Sequence, residues 1–252
     1  MLGAVILGTG VILRSLILLR GWQSHIIATY FWFYGYVVAG LVGDTVVALA
    51  LREGVHSYRA VYWAAQLSTL AFGCAVIFEI FRHVLKPYPG AEIFARSLLL
   101  VTFGLIFFSG LIYARVASAA AARTFIGLER DVRMAQVLFF VAILAVIFRY
   151  GLPIGRNMRG MISGYALYIG TSLLTLAFRA YAGLPFDSIW RVLQPLSSAV
   201  TLCIWLAALW AYHPNPAPSP RVALGSDYEE LVAATRGGVT AVRSYLERSL
   251  RG

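Results

Sequence analysis

Three ionisable side chains, Arg14, Asp44 and Glu79, interrupt runs of sequence that are otherwise almost wholly apolar, as in "GCAVIFEIFRH" from Gly73 to His83. A charge in hydrocarbon costs about 2.5–3.5 kcal/mol on insertion scales, so each needs an opposite charge, a hydrogen-bonding partner or water. Gln66, Gln136 and Gln194 lie in similar surroundings, and Glu129 and Arg133 stand four apart, the spacing that brings two side chains together on one helix face. Groups of this kind bind a polar solute, relay a proton or hold helices together. Other chemistries lack their parts. No serine, histidine and carboxylate set, no paired aspartates and no glycine-rich phosphate loop occurs in a workable setting. Lys86 is the only lysine and falls in a loop, which rules out a retinal Schiff base in the last helix. His25, His83 and His213 fall at helix ends on one side, but no histidine at matching depth completes a ligand set, so no metal and no cofactor is expected.

The apolar runs define the elements that position these groups. Of 252 residues, 60% are hydrophobic and 13% charged, with mean hydropathy +0.76, well outside the mix of a soluble globular domain. About 20 mostly apolar residues make a helix long enough to cross a bilayer. Seven runs approach that length, near Leu2–Leu19, Ala28–Leu51, Ala60–Phe81, Ala95–Tyr113, Val132–Phe148, Gly160–Phe178 and Ile189–Tyr212. The expected fold is therefore all-α: a polytopic membrane protein whose residues 1–212 form a seven-helix transmembrane bundle. Leu2–Leu19 has no basic residue before it and no clean small-residue cleavage site after it, and reads as the first helix rather than a signal peptide.

The net charge of +10 does not imply nucleic acid as a partner, because the basic residues sit mostly at helix ends and no soluble basic domain offers a groove. They read instead as topology signals. With the N-terminus outside, twelve of the Lys and Arg residues fall on the inner side, among them Arg20, Arg82, Lys86 and Arg96, against eight on the outer side. In that orientation Arg14 stands about 9 Å above the inner boundary at the helical rise, and Glu79 lies just before Arg82, so the two share the inner half of the membrane. The partners expected for Glu79 are Arg14 across the bundle, His83 one turn along its own helix, or the adjacent Arg82.

Asp44 belongs to an outer layer, at a depth shared by Gln66, Gln136 and Gln194 on three other spans, with Glu129 and Arg133 near the rim. Four polar side chains at one level predict a wet pocket open to the outside. The competing reading is that each glutamine hydrogen-bonds a neighbouring helix and only holds the bundle together. Aromatics such as Tyr30, Trp32, Phe33, Trp205 and Trp210 read as interfacial belts and packing, and Cys74 and Cys203 as small core residues. Ala39-x-x-x-Gly43 and Gly160-x-x-x-Gly164 fit faces where helices approach closely.

Beyond the last span, residues 213–225 open with "HPNPAPSP", a Pro-rich linker that cannot continue a helix. Residues 226–252 then begin with the capping-box pattern Ser226-x-x-Glu229, and Tyr228, Leu231, Val232, Val239, Val242, Leu246 and Leu250 recur at near-helical spacing. This is expected to be a cytoplasmic amphipathic helix lying on lipid headgroups or on a protein partner. A faint repeat also links "WAAQLSTLAFGC" to "WRVLQPLSSAVTLC" and "GYVVAG" to "GYALYIG", as a three-plus-one-plus-three duplication would, although so few matches also arise by chance between apolar helices.

The segments "VYWAAQLSTLAFGCAVIFEIFRHVLKPY" (Val61–Tyr88), "LERDVRMAQVLFF" (Leu128–Phe140) and "IGRNMRGMISGYALYIGTSLL" (Ile154–Leu174) resemble a group of uncharacterised bacterial seven-helix membrane proteins. In that group the third helix ends in an acidic residue followed by a basic, proline-containing loop, and the fifth opens with a Glu-Arg pair and a further arginine. Those positions fall here on Glu79, on Lys86-Pro87-Tyr88, and on Glu129-Arg130 and Arg133. The resemblance implies the fold and a multi-pass place in the bacterial inner membrane, and it carries no activity. The Pro-rich linker and tail lie outside it.

Together these features predict a sensory or accessory membrane subunit: an outward-facing pocket around Asp44, Gln66, Gln136 and Gln194 for a small molecule or lipid, and a tail that engages the membrane or a cytoplasmic protein. A small-solute or proton-coupled carrier is the second reading and a membrane enzyme the third. Ligand identity and oligomeric state are not written in the sequence.

Overall fold

The computed structural model describes residues 2–52, 58–116, 121–182, 184–213 and 216. They form seven helices in chain order: α1 (Leu2–Gln23), α2 (Phe31–Arg52), α3 (Tyr58–Leu85), α4 (Pro89–Val116), α5 (Ala121–Tyr150), α6 (Arg156–Ala182) and α7 (Leu184–Ala208). No strand occurs among the described residues. The tail helix expected at 226–252, and all of the 213–225 linker but His213 and Pro216, lie outside them.

Among the described residues, four stretches are long and apolar enough to cross a membrane: Phe31–Arg52, Ala60–Leu85, Pro89–Ser109 and Gly127–Tyr150. Val192–Ala208 is a shorter apolar stretch. Their outer faces carry large apolar side chains such as Leu100, Leu105, Leu138 and Phe148, the last 80% exposed. In water such a surface drives aggregation, whereas in lipid it costs nothing.

Several helices run past the edges expected from hydropathy, for local reasons. Pro89 opens α4, where its missing N–H is one that a helix start leaves unpaired in any case. α5 begins at Ala121, so "AARTFIGLERD" continues it well before Val132. α1 ends in a Schellman turn: Ile26 N–H donates to the Gly21 carbonyl at 3.1 Å and His25 N–H to the Trp22 carbonyl at 3.2 Å. His25 takes the left-handed conformation this requires, at φ 54°, a position usually given to glycine. α5 ends in a similar left-handed turn, with Gly151 at φ 58° and Leu152 N–H reaching the Ile147 carbonyl at 3.1 Å.

The pairs α2–α3 and α6–α7 are the most extensively packed. Small residues explain the approach. A Cβ on Gly43 would meet that of Ala65 at 3.3 Å, and Gly160 and Gly164 lie directly against Ala208 and Trp205. The buried core runs through Ile17, Val37, Ile77, Ile80, Leu99, Ile143, Met158 and Met161. At one end of the molecule, Arg20 Nε donates to the Trp210 carbonyl at 2.8 Å while its guanidinium stands 4.8 Å over the indole ring, which joins α1 to the end of α7. Fully buried Asn157 closes the same end: its Nδ2 donates to the carbonyls of Ala208 (2.9 Å) and Ala211 (2.8 Å), and its Oδ1 accepts the N–H of His213. Cys74 is buried, while Cys203 faces outward and is not the core residue expected.

Candidate functional site

A cavity of about 440 Å³ opens in the half of the molecule where α1, α3 and α7 begin and α2 ends. Asp44, Gln66 and Gln194, three of the four side chains expected at one depth, line it. Arg14 lines it too and bridges to Asp44 through Nη1 and Oδ2. The expected Arg14–Glu79 pair does not form. α1 extends to Gln23, which places Arg14 nearer mid-helix than a boundary at Arg20 implied, and its long side chain rises toward Asp44. Gly40 leaves the room: a Cβ there would stand 3.1 Å from Arg14 Nε and 3.3 Å from its Cζ.

The remaining polar residues form a partly buried chain behind the cavity. Gln66 Nε2 donates to Glu129 Oε1 at 2.7 Å, the same oxygen lies 3.7 Å from Arg133 Nη2, and Arg133 donates to the Tyr168 hydroxyl at 3.3 Å. Both ends of this chain, Gln66 and Tyr168, line the cavity. Arg133 is 3% exposed and its guanidinium lies 5.1 Å from the centre of the Tyr168 ring, so it sits inside the wall and not at the rim where the sequence placed it. Gln136 is fully buried below, with Nε2 3.5 Å from both the Leu70 carbonyl and Cys74 Sγ, and does not reach the cavity. Gln194 Nε2 donates to Ser172 Oγ at 3.4 Å. The amide oxygens of Gln136 and Gln194 and the Nε of Arg133 have no partner among the described residues.

Sequence reasoning missed the aromatic floor. Tyr36, Tyr168 and Trp205 line the cavity, with ring centres 5.9 Å apart for Tyr36–Trp205 and 6.3 Å for Tyr36–Tyr168. Phe33 stacks edge-on against Trp205 at 4.9 Å, and Tyr165 donates its hydroxyl to the Gly73 carbonyl at 2.8 Å. The signal was present, since Tyr36 and Tyr168 follow the glycines of "GYVVAG" and "GYALYIG" by one and four residues, but those segments were read only as a repeat, and Trp205 as part of a belt.

Glu79 lies beyond this floor, at the opposite half of the molecule. It is 4% exposed, and its carboxylate accepts the backbone N–H groups of Trp32 (3.1 Å) and Phe33 (2.9 Å). These belong to the first turn of α2, whose amides have no partner within the helix. Glu79 therefore caps α2 from α3. His83 does not touch the carboxylate: its Nδ1 lies 2.9 Å from the Glu79 backbone carbonyl. A carbonyl cannot donate, so Nδ1 carries the proton in this contact. Glu79 lines a second cavity, of about 480 Å³, that shares no lining residue with the first. Among the described residues, no group of three or more His, Cys, Asp or Glu side chains is placed to hold a metal ion.

Fold and site together define an all-helical protein with membrane-length apolar helices and a charged, aromatic-floored cavity among them. No protein-family model matches the chain, and neither does any curated protein or solved structure.

Proposed function

We propose that the chain is a seven-helix protein of the bacterial inner membrane, N-terminus outside, that works as a sensory or accessory subunit: it takes a small polar molecule or lipid headgroup into the cavity around Arg14 and Asp44 and passes the event to its cytoplasmic tail. The observation that carries this reading is the cavity itself. At about 440 Å³ it falls within the range of ligand pockets, and it offers one cation, one anion and two amides over three aromatic rings. A ligand with a carboxylate competes for Arg14, and one with an amine competes for Asp44. Either must share or open the bridge that ties α1 to α2. α1 also holds Arg20 against Trp210, three residues before the Pro-rich stretch, so a shift of α1 reaches the root of the tail.

The absence of a shared lining between the two cavities, with Phe33 and Trp205 stacked between the Asp44 and Glu79 levels, supports a receptor over the carrier reading. The test is a melting screen of small carboxylates and amines on the wild type, Asp44→Asn and Arg20→Leu. A ligand that stabilises wild type and Arg20→Leu alike, fails on Asp44→Asn, and alters capture of a partner by the tail only when Arg20 is intact is the expected result. Proteoliposome flux that survives deletion of Gly225–Gly252 and dies with Asp44→Asn would refute the sensor reading in favour of a carrier.

A further inference from the structure

The second cavity lies where α3 ends and α2 and α4 begin, and Trp32, Glu79, Arg82, His83, Lys86 and Glu92 line it. Its acidic groups are already engaged. Glu79 accepts the two N–H groups of α2, and Glu92 stands in the first turn of α4, where the positive end of the helix dipole favours a carboxylate. Arg82 and Lys86 are exposed, and among the described residues neither has an acidic side chain within salt-bridge distance. The cavity thus presents two exposed cations, neither in a salt bridge among the described residues, at the margin of an apolar surface.

Phe31 lines this cavity and also a long apolar groove of about 700 Å³ on the outside of α2 and α3. The groove exists because its bed is built of small residues, Gly35, Ala39 and Gly43 on α2 facing Ala64, Ala65 and Ser68 on α3. From Phe31 to Val46 it follows α2 for about 22 Å at the helical rise. At its mouth the ring of Trp32, in the cavity, stands 6.3 Å from that of Phe72, in the groove.

We propose that this junction holds one anionic phospholipid, its phosphate between Arg82 and Lys86 and one acyl chain laid along the α2–α3 groove. Charge selects an anionic headgroup, and continuity of the cationic cavity with a narrow apolar channel selects a lipid over a free phosphate. Basic pockets between membrane helices hold anionic headgroups on the same physical grounds. A helix from a second copy would also find small residues in the groove, but packing there does not by itself engage the two cations.

The test uses the full chain, delipidated in mild detergent and placed in phosphatidylcholine nanodiscs, then titrated with phosphatidylglycerol or inorganic phosphate. Melting temperature and the lipid mass retained in native mass spectrometry are the readouts. One phosphatidylglycerol per chain and a rise in melting temperature are expected, with no rise from phosphate. The exposed double variant Arg82→Gln/Lys86→Gln, which leaves the core untouched, should weaken retention roughly 30-fold, the product of two cations near a membrane surface. Ala39→Leu, which fills the groove and keeps the charge, should weaken it as well. Equal retention of phosphatidylcholine and phosphatidylglycerol, undiminished retention by the double variant, or a full shift from phosphate alone would overturn the proposal. A dimer that forms without bound lipid and is lost with Ala39→Leu would replace it with helix docking.

Discussion

Replacing Glu79 by leucine takes away the side chain that caps α2, and the cost can be worked from the geometry. Phe33 is fully buried, so its N–H, now bonded to the carboxylate at 2.9 Å, is left without acceptor or water, at about 1–3 kcal/mol. Trp32 is 40% exposed, and water can replace its longer bond. The lost attraction between carboxylate and helix dipole adds about 0.3–1 kcal/mol, while leucine recovers part of the desolvation that a carboxylate at 4% exposure suffers. The balance is a loss of about 2–3 kcal/mol for Glu79→Leu, at and above the top of the roughly 0.5–2 kcal/mol range for helix caps. Glu79→Gln keeps an acceptor oxygen and should lose about 1 kcal/mol. Reversible unfolding in mixed detergent micelles measures both, and hydrogen exchange over residues 30–36 reports the cap locally, with faster exchange expected at Trp32 and Phe33. Because Arg14 bridges Asp44 and not Glu79, the Arg14→Leu and Glu79→Leu losses should add to within about 0.5 kcal/mol. Unchanged exchange in Glu79→Leu, or a double variant no worse than either single one, would refute the capping role.

The Arg14–Asp44 bridge should show the opposite behaviour. A cycle of Arg14→Leu, Asp44→Leu and the double variant should give a coupling of about 0.6–1.7 kcal/mol, the range for polar pairs between membrane helices. His25→Gly should stabilise the fold by up to about 1 kcal/mol, because glycine adopts the left-handed turn after α1 without the steric cost a side chain meets there. The melting temperature of the single variant checks the sign.

Depth along the helices was legible from the residues: counting from span ends placed Asp44, Gln66 and Gln194 at one level, and they line one cavity. Rotation about the helix axis was not. Gln136 shares that depth but points to Leu70 and Cys74, and Arg133 turns inward to Tyr168, because packing decides the face and the apolar runs are apolar all round. Arg14 was misplaced by length at both scales, a helix three residues longer than its apolar boundary at Arg20 and a side chain that spans more than a turn. The partner of Glu79 escaped for a deeper reason. Backbone N–H groups carry no letter in the sequence, so a search among side chains offers Arg14, Arg82 and His83 and passes over the amides at the start of the preceding helix, which have no partner within it.

The cap on α2 comes from a residue 46 positions further along than Phe33. At synthesis rates of about 5–20 residues per second, α2 emerges roughly 2–9 s before Glu79 exists to close it. During that interval its first amides, which have no partner within the helix, must find another acceptor. Arrival of the end of α3 supplies the carboxylate. The hairpin is in this sense timed as well as shaped: α2 is made first, and the ribosome delivers the group that caps it seconds later.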